Sequence, residues 1–152
     1  MKPSPFWRMW LIAVSIGMVI FGLVMILFIQ TAPLSSLTAL IDLTFWPTGD
    51  VSSGAAQFQK WVYAAWGATI VGFGVLTTFV TLNAFARGDK WGRDALISGI
   101  ASWYLLDTLV SALSAVWPNV ILNTVIALLV APPLIATWKS FESRVIEHPA
   151  AA

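Results

Sequence analysis

The chain contains no cysteine and a single histidine, His148, which lies in a polar tail beside Glu147. Without thiols there are no disulfides, no thiolate metal sites and no thiol redox chemistry. One imidazole cannot build a histidine-held haem, copper or zinc site among the apolar segments, and His148 is read as solvated. Charge is also scarce: Asp, Glu, Lys and Arg make up 10% of the residues, and the net charge is +1. The clustered basic face of a nucleic-acid binder is therefore missing. No cofactor and no nucleic-acid partner are expected.

What is present is apolar. Hydrophobic residues form 59% of the chain and the mean hydropathy is +0.84. Its 152 residues accommodate about four spanning helices of ~20 residues each, with short connections and no room for a separate soluble catalytic domain. The apolar runs fall at 9–29, 61–86, 95–116 and 120–138. The first follows Lys2 and Arg8. It exceeds the ~7–15 residues of a signal-peptide core and exits through Gln30-Thr31-Ala32-Pro33 without a small-x-small cleavage site, so it reads as an uncleaved span.

Between the first two runs, Leu34, Leu37, Ile41 and Phe45 recur at helical spacing, with Ser35, Thr38 and Asp42 on the other side. Pro33 suits a first helical position. A helix over 33–46 is only ~20 Å long, too short for a ~30 Å hydrocarbon core, and belongs at the interface. The expected fold is all-α: a four-transmembrane-helix bundle forming a single integral membrane domain over 1–152, with a short amphipathic interfacial helix between the first two spans.

Four crossings place Lys2, Arg8, Arg87, Lys90, Arg93, Lys139 and Arg144 on one side and Lys60 alone on the other. By the positive-inside rule both termini are cytoplasmic and the segment from Thr31 to Lys60 is external. The tryptophans fit that frame. Trp7, Trp10, Trp91 and Trp138 fall at the inner ends, and Trp46, Trp61 and Trp117 at the outer ends, where an amphipathic ring anchors. Trp66 and Trp103 lie inside their spans, where an indole N–H seeks a partner.

Two patterns stand out within the spans. In the second, Ala64, Ala68 and Gly72 recur every four residues, with Gly67 and Gly74 on an adjoining face. Such rows let helix backbones approach closely, and Ala64, Ala68 and Gly72 are the expected packing seam. In the third, Tyr104, Asp107, Thr108, Ser111 and Ser114 share one arc of the helix, with Asp107 near the midpoint of the run. An aspartate at that depth costs at least ~2.5–3.5 kcal/mol, so it has to face the protein interior and find partners there. No Lys or Arg lies within a span to pair with it. Thr69, Ser111 and Asn123 are its expected hydrogen-bond partners. Asp107 is then a proton carrier, the polar hook of a ligand cavity, or interhelical glue. In the fourth span, Pro132-Pro133 removes backbone donors and favours a kink.

The residues Trp66-Gly67-Ala68-Thr69 with Gly72 and Gly74, the basic loop from Arg87 to Arg93, and Trp103 with Asp107-Thr108 and Ser111 together resemble a group of small uncharacterised bacterial four-helix inner-membrane proteins. The resemblance runs from Trp61 to Pro133. It implies an inner-membrane location and a four-helix architecture, and it carries over no catalytic residue. The favoured expectation is a non-enzymatic protein in the lipid bilayer, either an accessory subunit of a homo-oligomer or larger membrane complex, or a binder of a hydrophobic small molecule such as a lipid or quinone. The site residues would be Tyr104, Asp107, Ser111, Thr69, Trp103 and Asn123. The alternative is a small oligomeric proton-linked transporter or channel that uses Asp107. An intramembrane enzyme is disfavoured, because one aspartate among hydroxyls supplies neither a nucleophile–base pair nor a metal set.

Overall fold

A computed structural model of the chain describes residues 2–32 and 34–141. His148, the tail beyond Phe141 and Pro33 fall outside the described residues. Among those described there are five α-helices and no strand: α1 (Pro5–Phe28), α2 (Leu34–Phe45), α3 (Ser53–Val80), α4 (Lys90–Leu113) and α5 (Trp117–Ala136). A π-helical turn, Thr81–Phe85, prolongs α3, and a 3-10 turn, Trp138–Phe141, follows α5. Four of the helices are long and apolar enough to cross a membrane: α1, α3 with its π-turn, α4 and α5. The short α2 is not.

Helix starts explain where the observed bounds depart from the apolar runs. Pro5 opens α1, its fixed φ suiting a first turn that needs no N–H. Ser52 caps α3, its hydroxyl accepting from Ala55 N at 3.2 Å, so the helix begins eight residues before Trp61, at Ser53, and carries Gln57, Gln59 and Lys60. Pro118 lies in the first turn of α5, which therefore starts at Trp117. Helix α4 starts at Lys90, so the basic loop is shorter than the sequence predicts. Arg93 is helical and 3% exposed, its guanidinium 4.1 Å above the Trp138 ring and Nη2 2.8 Å from Asp94.

Helices α1 and α3 form the tightest pair, antiparallel and in backbone contact. A Cβ on Gly67 would fall 2.7 Å from the Gly22 carbonyl oxygen, and one on Gly74 would fall 2.8 Å from that of Ser15. Ser15, fully buried, also accepts from the Thr78 hydroxyl at 2.9 Å. The seam thus runs along Gly67 and Gly74, which corrects the packing assigned to Ala64, Ala68 and Gly72. Ala68 and Gly72 are exposed, Ala64 is half-buried, and a Cβ on Gly72 would meet nothing within 4 Å. Both rows are small. The small partner on α1, Gly22, decides which face turns inward.

The remaining apolar core gathers at the end that holds the basic residues. Leu11, Phe85, Leu96, Val130, Leu134 and Phe141 pack there, with the Phe85 and Phe141 rings 5.0 Å apart. The π-turn turns Ala84 and Phe85 inward, and Gly92 lets α4 start against them: a Cβ there would come within 2.5 Å of Ala84 Cβ. Helix α5 continues through Pro132 and Pro133. Pro133 has no N–H to offer the Leu129 carbonyl, and Trp10 Nε1 donates to that oxygen instead, at 2.8 Å. At the opposite end, α2 is tied to α3 by a bond from Gln59 Nε2 to Asp42 Oδ1. There α1 and α3 separate from α4 and α5, and the space between the two pairs is the candidate site.

Candidate functional site

The site begins with the turn between α4 and α5. Ser114 ends α4, Ala115 adopts a left-handed conformation with φ +57°, and Val116 N donates back to the Ser111 carbonyl at 2.8 Å, with Ala115 N donating to that of Ala112 at 3.1 Å. This paired closure reverses the chain in the fewest residues. It brings Asn119, in the first turn of α5, beneath the last turns of α4.

Asn119 Nδ2 donates to Asp107 Oδ1 at 2.8 Å and to Ser111 Oγ at 2.7 Å, and the Ser111 hydroxyl donates to the same Asp107 oxygen at 3.2 Å. Asp107 Oδ2 accepts no hydrogen bond from a described residue. Asn119 Oδ1 is buried and likewise has no partner. The ion pairs among the described residues, Arg87–Asp89, Lys90–Asp94 and Arg93–Asp94, all lie at the far end of α4. Asp107 therefore faces this space without a counter-cation among them.

Of the expected partners, Ser111 reaches Asp107, while Thr69 and Asn123 do not. The Thr69 hydroxyl donates to its own helix at Ala65 O, 3.1 Å away. Asn123 Nδ2 donates to Thr108 Oγ1 at 3.3 Å, and the Tyr104 and Thr124 hydroxyls are 3.5 Å apart. The polar arc of α4 faces α5 and is met there by Asn119, Asn123 and Thr124. Asn119 was missed because the apolar run starts at Val120, although Pro118 signals a helix that begins earlier. Asp107 is in the second half of α4. It lies six residues before the end of α4 at Leu113, about 9 Å along the axis.

Two cavities meet at Asp107. The outer one, about 270 Å³, lies beneath α2 and is lined by Phe45, Tyr63, Trp66, Asp107, Ser111 and Asn119 among others. The inner one, about 350 Å³, passes between the helix pairs, and its lining includes Met18, Thr69, Phe73, Trp103, Asp107 and Asn123. Thr69, Trp103 and Asn123 thus belong to the site as wall rather than as Asp107 partners. Trp103 meets Phe73 at a tilt, with ring centroids 6.3 Å apart and planes 40° apart, and neither its indole N–H nor that of Trp66 has a hydrogen bond to a described residue. Met18, Phe21, Ile70, Leu122 and Ile126 also line a third space of about 480 Å³, between α1 and α5, closed towards the basic end by Trp10 and Leu129. Apolar cavities that share these walls thus lie between the flank of the molecule and a carboxylate.

Among the described residues no group of three or more His, Cys, Asp and Glu comes together to hold a metal ion. No family model matches the chain, and neither a curated protein nor a solved structure matches it.

Proposed function

We propose that this chain is a non-enzymatic integral membrane protein of the bacterial inner membrane that holds an apolar ligand, of the lipid or quinone class, between its two helix pairs. The body of the ligand lies along Met18, Phe21, Leu122 and Ile126, and its polar group meets Asp107, Ser111 and Asn119. One observation carries this reading: two adjoining apolar cavities share Met18, Phe21, Ile70, Leu122 and Ile126, and one of them reaches a carboxylate that has no counter-cation among the described residues. Ligand sites commonly combine apolar walls with a few convergent polar groups.

The membrane setting has its own support. Ile20, Leu27, Leu76, Leu106, Leu113, Ile121, Leu128 and Ile135 are all exposed, far more apolar surface than a water-soluble protein presents. In the proposed orientation both termini and the Arg87 to Arg93 segment are cytoplasmic, because the basic residues gather at one end. The exposed Ala68 and Gly72 row, which no helix among the described residues covers, supports assembly with further copies or with a larger membrane complex, in which the chain would be an accessory subunit.

Native mass spectrometry of protein released gently from membranes tests the ligand. The reading expects a bound molecule of lipid or quinone mass, and protein that is ligand-free under every mild extraction would contradict it. Impermeant thiol labelling of single cysteines at Ser53 and Gly88 tests the orientation, with Ser53 labelled on intact cells and Gly88 protected. The competing reading, a proton-linked transporter or channel, requires proton flux into reconstituted vesicles that Asp107→Asn abolishes. Its weakness is the closed basic end, where Leu11, Phe85, Leu96 and Val130 fill the space a proton path would need.

A further inference from the structure

The chemistry around Asp107 narrows the class of ligand, if the ligand-binding reading above holds. Asp107, which lines the outer cavity, has one oxygen, Oδ2, that accepts no hydrogen bond from a described residue, and the nearby Asn119 Oδ1 is a buried acceptor without a partner among them. Asn119, only 8% exposed, has already committed its amide hydrogens to Asp107 and Ser111, and the Ser111 hydrogen goes to Asp107 as well. Three aromatic residues, Phe45, Tyr63 and Trp66, also line the outer cavity, with Ile41, Val110 and Val116. No Lys, Arg or His is among the described residues that line either the outer or the inner cavity.

A phosphate or carboxylate head would therefore meet a carboxylate with nothing to neutralise either charge. A neutral head would offer the Asp107 carboxyl no counter-charge. A monovalent cation answers every feature at once. It pairs with Asp107, and it is attracted to the faces of aromatic rings. The inner cavity, walled by Met18, Phe73, Trp103, Leu122 and Ile126, has the apolar lining that a hydrocarbon chain requires.

We propose that the outer cavity binds the ammonium group of a cationic amphiphile, with Asp107 as its counter-ion and Phe45, Tyr63 and Trp66 as its aromatic wall, while the tail of the amphiphile occupies the inner cavity. The ammonium can belong to a free alkylamine or to an aminolipid headgroup. The free amine is favoured, because an aminolipid brings its phosphate with it.

The test uses the full-length protein in maltoside micelles and four probes offered at equal mole fraction: dodecyltrimethylammonium, dodecanol, dodecanoate and phosphatidylethanolamine. Binding is read by native mass spectrometry and calorimetry. The expected result is that dodecyltrimethylammonium binds at least ~10-fold tighter than dodecanol or dodecanoate, about what a desolvated cation–aromatic contact with an ion pair supplies. The preference should collapse in Asp107→Asn and weaken several-fold in Trp66→Leu. Because the preference is read first in the wild type, a variant that misfolds does not decide the outcome. Phosphatidylethanolamine binding as tightly as the alkylammonium would assign the cation to an aminolipid. Equal binding of the three dodecyl probes, or a preference for dodecanoate, would overturn the cationic assignment and leave the apolar-ligand reading standing. No binding of any probe would overturn both. An ammonium preference that survives in a folded Asp107→Asn protein would also overturn the proposal.

Discussion

Trp10 Nε1 donates at 2.8 Å to the carbonyl of Leu129, the oxygen that Pro133 leaves without its helical donor. One helix repairs a defect in another, and the repair closes one end of the apolar cavity between them. Trp10→Phe should lower stability in detergent by about 0.5–1.5 kcal/mol, the usual worth of a hydrogen bond. Pro133→Ala returns an N–H to α5. In that background the same Trp10→Phe change should cost less, a coupling that a double-mutant cycle measures. Equal costs in both backgrounds would mean that the Leu129 oxygen is not what Trp10 satisfies.

The seam between α1 and α3 gives a prediction with a built-in control. Gly67→Ala and Gly74→Ala place a methyl where carbonyl oxygens stand 2.7 and 2.8 Å away, so each should destabilise by about 1–3 kcal/mol. Gly72→Ala, two residues before Gly74 on the open face, should be neutral or gain up to about 1 kcal/mol from helix propensity. Thermal unfolding of the three variants side by side decides between the two rows.

Ala115 holds φ +57° in the turn that delivers Asn119. A left-handed conformation costs a residue with a Cβ roughly 1–2 kcal/mol. Part of that returns when glycine replaces it, offset by the greater freedom of the unfolded chain, so Ala115→Gly should stabilise by about 0.5–1 kcal/mol. A lower melting temperature for this variant would show that the turn relaxes differently.

Arg93 separates structural charge from charge that only marks a side. Its guanidinium stacks 4.1 Å above Trp138 and reaches Asp94 through both Nε and Nη2, at 2.9 and 2.8 Å. Arg93→Lys keeps the charge and loses the planar stack and fork, and should cost about 1–2 kcal/mol. Lys90→Gln breaks a 2.6 Å pair whose partners are 68% and 41% exposed, and should leave stability close to that of the wild type. Chemical unfolding of both variants at one salt concentration checks the contrast.

Much of the architecture was legible because long apolar runs, separated by proline, glycine and charge, leave little choice but helices of those lengths. The ends were harder to read. Helix α3 extends through Gln57, Gln59 and Lys60 because Ser52 caps it, and a hydropathy window does not register a cap. Asp107 is conspicuous in any reading, since a carboxylate among leucines demands partners. Its main partner, Asn119, looked like loop because the apolar run starts one residue later. The choice between the two small-residue rows of α3 could not be made from α3 alone: it depends on Gly22 of another helix, a relation between distant segments that periodicity does not carry.

The most direct test of the account fills the cavities. Leu122 lines both the inner cavity and the space between α1 and α5, so Leu122→Trp should fill into them without touching the Asn119 contacts. Native mass spectrometry of gently extracted wild type and Leu122→Trp, each with circular dichroism confirming its helices, compares what they carry. The account predicts a bound apolar molecule in the wild type and its loss in the folded variant. The same molecule at the same occupancy in both would contradict it, because the ligand would then bind somewhere other than the cavities that Leu122 lines.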